Sequence, residues 1–305
     1  MEKHRKKLIK NATVFDGHSS GLAQGKKIVI EDDIVTEITA DEVSEENFDE
    51  VFDGTGMVAM PGMTDAHVHM GCLFAKGEFP VDYATVLTVA KCKDALMAGF
   101  TTFRDAGSVS EGLKLAFDEG VLPGPRIYPC GAYISQTCGH GDSEYAHTYR
   151  DIQYRHPSST VLADGVPEII RAVREQFYRG ASHIKLMATE ILNRHEDIGL
   201  LFGTDMMITG PDYQVEQSED IRYYEKRFGT MRALRALTGT ANEVFALTTY
   251  QNPYPKGKIG VLEAGSYADL LLVDGDPTKS VSVLADTDHL RLIMKGGTVY
   301  KNTLC

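Results

Sequence analysis

Pro61-Gly62-Met63-Thr64-Asp65-Ala66-His67-Val68-His69 carries a strand away from a Pro-Gly corner and spaces two imidazoles two residues apart. Side chains alternate faces along a strand, so both rings share one face, about 7 Å apart at Cβ, and can converge on one cation. Two polar residues at a strand end would give the same text. The flanking sequence changes character on either side of this stretch. Upstream, residues 8–15, 26–30, 34–38, 51–53 and 57–59 are short β-type runs broken by turn residues, the texture of a small antiparallel sheet. Downstream, from Pro80, helix and strand alternate: helix over 81–98, strand over 100–105, helix over 111–118, β-type sequence over 126–131, helix over 166–178 and strand over 182–187.

Alternating βα units predict a parallel sheet with helices outside it, either doubly wound or closed into a barrel. After Gly210 the pattern is mainly helical over 218–228, 230–237 and 240–247, and the small-sheet texture then returns at 259–262, 267–274, 290–295 and 298–300. The two ends resemble each other. The sequence therefore reads as an α/β chain with a composite β domain from residues 1–60 and 258–305 and an α/β domain over 61–257.

The composition narrows the function classes. The chain has 305 residues, 31 Lys+Arg against 43 Asp+Glu, a formal charge of -12 and 43% hydrophobic residues, which suits one large and one small globular domain. The acidic balance argues against nucleic-acid binding, since the basic opening Lys3–Lys7 is offset by the carboxylates from Asp41 to Asp53. No apolar run approaches the ~18–20 residues that cross a bilayer, and no signal-type segment follows the charged start, so a cytoplasmic protein without a membrane partner is expected. Cys72, Cys92, Cys130, Cys138 and Cys305 are odd in number and widely spread, and read as reduced thiols.

Three further positions carry chemistry. Lys185 stands among Ile184, Leu186 and Met187 in an apolar strand, where an ammonium needs a partner or neutralisation; a structural salt bridge is the plainer account. Asp205 ends the apolar run from Gly199 at Gly203-Thr204, placed for a ligand or general base but equally for a helix cap. His140 lies in the Gly-rich loop Gln136-Thr-Cys-Gly-His-Gly-Asp142, at the end of a strand where α/β proteins bind ligands, or is an exposed loop histidine. Gly17-His-Ser-Ser-Gly21 matches G-x-S-x-G but lies between two strands, so it reads as a hairpin turn. His147, His156, His183, His195 and His289 lack ligand spacing and read as structural or surface residues.

Taken together, Met60–His69, Ala98-Gly-Phe-Thr-Thr-Phe-Arg-Asp105, the His140 loop, His183-Ile-Lys-Leu-Met187, Gly203-Thr-Asp205 and Ala268-Asp-Leu-Leu-Leu-Val-Asp-Gly-Asp276 resemble the amidohydrolase superfamily, in its imidazolonepropionase-like and Xaa-Pro-dipeptidase-like branch. The resemblance implies a (β/α)8 barrel with a β-sandwich built from both termini. It also implies a binuclear divalent centre, usually zinc, and a small-molecule amide or peptide-like substrate such as a dipeptide or an N-acyl amino acid. His67 and His69 would hold one ion, Lys185 would bridge as a carbamate, Asp205 would bind metal and shuttle a proton, and His140 would contact substrate.

One departure stands out. The family pattern has two more histidines between the lysine and the aspartate, yet Lys185 and Asp205 are 20 residues apart with only His195 between them. Three βα units at ~30 residues each would need about 90 more. The expectation is a barrel lacking strands 5–7 that stays open or is completed by a second chain, with exposed apolar edges that favour a homo-oligomer. Activity is then impaired. A catalytically inactive remnant used for assembly or ligand binding is the alternative, and a one-ion enzyme on His67, His69 and Asp205 is a third reading.

Overall fold

A computed structural model describes residues 5–70, 81–107, 111–139, 141–142, 160–186, 200–207 and 213–304. The N-terminal strands β1 (Lys6–Val14), β2 (Ala23–Glu31) and β3 (Ile34–Thr39) form an antiparallel meander, and β4 (Glu50–Asp53) and β5 (Val58–Pro61) each run parallel to β1. The chain then turns directly into β6 (Met63–His69). Gly62 makes that turn possible: a Cβ there would lie 2.1 Å from Thr101 Oγ1.

The α/β part follows as α1 (Val81–Met97), β7 (Phe100–Asp105), α2 (Glu111–Asp118), β8 (Arg126–Tyr128), β9 (Tyr133–Ser135), β10 (Thr160–Leu162), α3 (Val166–Tyr178), β11 (Met206–Met207), α4 (Tyr213–Phe228), α5 (Thr230–Leu237) and α6 (Gly239–Ala246). Its parallel sheet has the order β11-β6-β7-β8, and β9 and β10 form a separate parallel pair. Among the described residues these sheets do not close into a barrel. No described helix is long and apolar enough to cross a membrane.

The C-terminal strands β12 (Leu270–Val273), β13 (Leu290–Lys295) and β14 (Thr298–Asn302) return to the first sheet, because β12 pairs with β5. The result is one eight-stranded sheet of order β14-β13-β12-β5-β1-β2-β3, with β4 beside β1. Leu270–Val273 is a continuous apolar run because both of its faces are covered, the rule for a central strand. One apolar core crosses the junction, joining Phe15, Val58 and Met60 to Leu96, Phe100, Phe103 and Phe202.

Three expected strands differ. Residues 126–131 pair only as far as Tyr128, and residues 182–186 make one isolated bridge, Leu186 to Ile134, instead of a ladder. Residues 259–262 are buried yet unpaired; Gly260 takes φ +78°, which breaks the extended run. The turn after β1 is the expected one: Asp16 accepts from the His18 and Ser19 amides and the Ser19 hydroxyl, and the chain re-enters as a strand.

A buried cluster locks the two parts together. Arg126 of β8 donates through Nε to Asp269 Oδ2 at 2.6 Å and through Nη2 to Oδ1 at 3.2 Å, and Asp269 Oδ1 also accepts from the Gly296 amide at 2.7 Å. The guanidinium lies 3.8 Å from the Tyr267 ring centroid. Burial opposes its charge, but the Asp269 carboxylate holds its pKa above the ordinary value. Nearby, the Lys295 ammonium donates to Gly124 O at 2.6 Å, and burial pulls its pKa from 10.5 down to about 8.

Two outcomes are expected. Asp269→Ala leaves the Arg126 charge buried without its partner and should cost about 3–5 kcal/mol in urea unfolding. Lys295 binds its proton less tightly folded than unfolded, so its burial penalty is present below pH 8 and fades as pH rises from about 8 to 10.5. Across that window wild-type stability should climb relative to Lys295→Met by about 1–3 kcal/mol.

Candidate metal centre

The parallel sheet carries β6 up to its C-terminal end, where His67 and His69 project towards the 203–205 corner. Their ring centroids are 5.4 Å apart. Asp205 Oδ1 lies 3.0 Å from His67 Nε2 and 3.2 Å from His69 Nε2, and the ligand-type atoms of all three residues fall within 4.8 Å of one another. Lys185 reaches the same point, with Nζ 2.8 Å from His67 Nε2. Its backbone is tied down by the Ile134 amide, which donates to Lys185 O at 2.9 Å.

Position 205 is conformationally unusual. Asp205 adopts φ +55°, a left-handed value that aspartate tolerates better than most residues, and its amide donates to His67 O at 2.7 Å. Just before it, Gly203 packs on His67 so closely that a Cβ would meet His67 Cβ at 2.7 Å and the His67 nitrogen at 3.1 Å. The carboxylate can face both imidazoles because this corner crosses β6 without a side chain in the way.

Asp65 organises the corner from beneath. Its fully buried carboxylate accepts from the His67 amide (3.2 Å), the Thr204 amide (3.3 Å), the Thr204 hydroxyl (2.9 Å) and Gln217 Nε2 of α4 (3.1 Å). Burial pushes its pKa up to about 6, against the pull of those hydrogen bonds. Asp65 has no role in the expected ligand set, although its period-two spacing from His67 places it on the same strand periodicity and is a signal in the sequence. His183, read as structural or surface, packs beside the centre, with Nδ1 3.0 Å from Ser182 Oγ and Nε2 3.1 Å from Asp105 O.

Electrostatics favour a lone-pair donor at His67. Burial, and then the Lys185 charge, hold its pKa well below the ordinary imidazole value, so its contact with Asp205 is not an ion pair at neutral pH. Burial also lowers the pKa of Lys185. A neutral Nε2 that accepts from Lys185 cannot also donate to Asp205. Two imidazole nitrogens and a carboxylate oxygen thus present lone pairs to one point, a donor set that suits a divalent cation. The structure brings together His67, His69, Lys185 and Asp205 as the sequence reading grouped them. His140, His147, His156 and His195 lie outside the described residues. Among the described residues on either side, the Cys138 amide donates to Asp142 Oδ2 (2.9 Å) and the Gly141 amide to Ser135 Oγ (3.1 Å).

Residues 58–200 match the amidohydrolase family model, a stretch that contains His67, His69 and Lys185. Over these residues the chain is similar to the amidohydrolase family. Ochratoxinase of Aspergillus niger is 34% identical over 152 residues, 43% of this chain and 31% of that protein. Imidazolonepropionase of Picrophilus torridus is 39% identical over 176 residues, 53% of this chain and 43% of that one. The alignments thus span less than half of either relative. Among solved structures, an amidohydrolase superimposes with TM-score 0.84 at 23% identity, covering 98% of this chain and 100% of the other. A prolidase complexed with N-methylphosphonate-L-proline gives 0.78 at 21%, covering 97% and 100%. These two likenesses are of fold, and they give the chain the mixed α/β architecture of amidohydrolase structures.

The corner geometry sets a paired test. Gly203→Ala should cost about 1–3 kcal/mol in chemical unfolding, because the added methyl displaces His67. Asp205→Gly should be more stable than Asp205→Ala by about 1 kcal/mol, since glycine adopts φ +55° freely.

Proposed function

We propose that this chain is a metal-dependent hydrolase of carbon–nitrogen bonds that acts on dipeptides or N-acyl amino acids. The observation that carries the reading is the convergence of His67, His69 and Asp205 within 4.8 Å, with Lys185 against His67. The amidohydrolase match and the likeness to a prolidase and to ochratoxinase support it. Zinc suits two imidazoles and a carboxylate best, with Lys185, carboxylated by CO2, as a further oxygen ligand. A bound cation would supply Lewis acidity towards an amide carbonyl and water acidic enough to attack near neutral pH.

The chain's own residues do the rest. His67 is held neutral by burial, which keeps its Nε2 lone pair available at neutral pH. The Asp205 side chain is 71% exposed, so it can take a proton at Oδ from water and return it to the leaving nitrogen. Asp65 acts on no substrate atom; through the His67 and Thr204 amides it fixes where the imidazole and the Asp205 carboxylate stand. His140 remains the residue we assign to substrate contact.

We further read the open sheet as an eight-unit barrel lacking its fifth to seventh strands. The 20-residue interval from Lys185 to Asp205 supports this, since three units need about 90. A centre built from His67, His69, Asp205 and Lys185 then holds about one ion instead of a pair. A second reading, a remnant that binds ligand without turnover, draws on the same shortage: among the described residues no further histidine joins the ligand group.

Elemental mass spectrometry after supplementation with zinc and bicarbonate should find about one ion per chain, lost in His67→Ala and Asp205→Ala. Hydrolysis of N-acyl amino acids should stop on chelation and fall by about 10–100-fold or more in Lys185→Ala. Turnover that survives chelation overturns the hydrolase reading, and bound metal without turnover on any amide favours the remnant.

A further inference from the structure

Beside the metal centre a cavity of about 490 Å³ opens between β7, β8, α3 and α6. Its walls are largely apolar: Phe177 from α3, Val244 and Phe245 from α6, and Leu247 at the rim, 77% exposed. Only one lining residue carries a full charge at neutral pH, Arg104 of β7, because burial holds His183 neutral with its pKa pulled down to about 3. The volume suits a small organic ligand.

Arg104 lacks the partner that its neighbour has. Its Nη1 donates to Ala66 O at 3.2 Å, and among the described residues it makes no other hydrogen bond and no ion pair. Arg126, one strand over, is clamped by Asp269 through two donors. A guanidinium has five N–H donors in a planar fork that matches a carboxylate, and withdrawing it from water with four of them unused is unfavourable. In a chain with 43 Asp+Glu none of the described carboxylates has been spent on this site. Its one protein bond goes to Ala66, the residue before His67, so an anion held there lies next to the metal centre.

We propose that this cavity is a carboxylate subsite, in which Arg104 grips the carboxylate of an amphipathic acid whose apolar body lies against Phe177, Val244 and Leu247. As the place that holds a substrate's own carboxylate it rests on the hydrolase reading; as an anion site it needs no metal. Burial without a counter-charge also lowers the Arg104 pKa, as expected of a group that gains from an anion.

The probes are 3-phenylpropionate and its neutral counterpart 3-phenylpropanamide, titrated calorimetrically into the full chain after chelation and again with zinc. In metal-free protein the acid should bind about tenfold or more tightly than the amide. Arg104→Met should erase that preference, and Leu247→Glu, on the exposed rim, should weaken the acid more than the amide even if the Arg104 variant fails to fold. Equal binding of acid and amide overturns the subsite, as does a preference that persists in Arg104→Met. A preference that needs zinc and vanishes in His69→Ala assigns the carboxylate to the metal, overturning the subsite while leaving the hydrolase reading intact. Metal-free selectivity in a chain that takes up no zinc supports the subsite while the hydrolase reading fails.

Discussion

A carboxylate that no solvent reaches must collect its hydrogen bonds from the chain, and Asp65 collects them from three separate segments. The His67 amide, the Thr204 amide and hydroxyl, and Gln217 of α4 all converge on it. Leaving even one of these bonds unmade in a buried setting costs more than the bond gains when made, so the three segments are held in one relative arrangement. The metal-ligand geometry follows from that. With Thr204 anchored below, Asp205 takes its left-handed conformation, donates to His67 O and turns its carboxylate to both imidazoles.

The same logic operates at the junction of the two sheets. Asp269 is buried, and it satisfies Arg126 and the Gly296 amide together, so strand β8 of the parallel sheet cannot shift relative to β12 and β13 without stranding a charge. The continuous chain through Gly62 and the shared apolar core add non-directional cohesion. Arg104 and Arg126 make an informative pair. Both are largely buried on adjacent strands; Arg126 is closed off by protein, and Arg104 faces a cavity with most of its donors unused. Charge satisfied internally serves the fold, and charge left open towards a cavity is available to a ligand.

Among the described residues the parallel sheet is not closed, and the ligand group is built from adjacent strands of it. Strand number, tilt and shear are linked in a closed barrel, so the strands β11, β6, β7 and β8 cannot curl shut by themselves. The His67–His69–Asp205 group does not depend on closure, because all of its members come from β6 and the corner beside β11, which are direct neighbours in the sheet. The cavity beneath Arg104 adjoins this group across β7, towards β8 and α6.

Much of this was legible in the sequence. Period-two spacing put His67 and His69 on one face, and the similarity of the two ends agrees with the sheet in which strands from both pair. These are local constraints: alternation along a strand and strand texture. Pairing partners over long sequence separation were not legible, because nothing in the text near Asp65 names Gln217, and nothing near Arg126 names Asp269, 143 residues away. Nor does the text tell the paired arginine from the unpaired one, or show that residues 182–186 form only a bridge. The sequence by itself determined which residue types could bind a cation and in what order the elements occur. Only the tertiary structure decided which buried charges meet, since that depends on how the chain returns through space, and a single buried charge left unmatched costs as much as many local preferences combined.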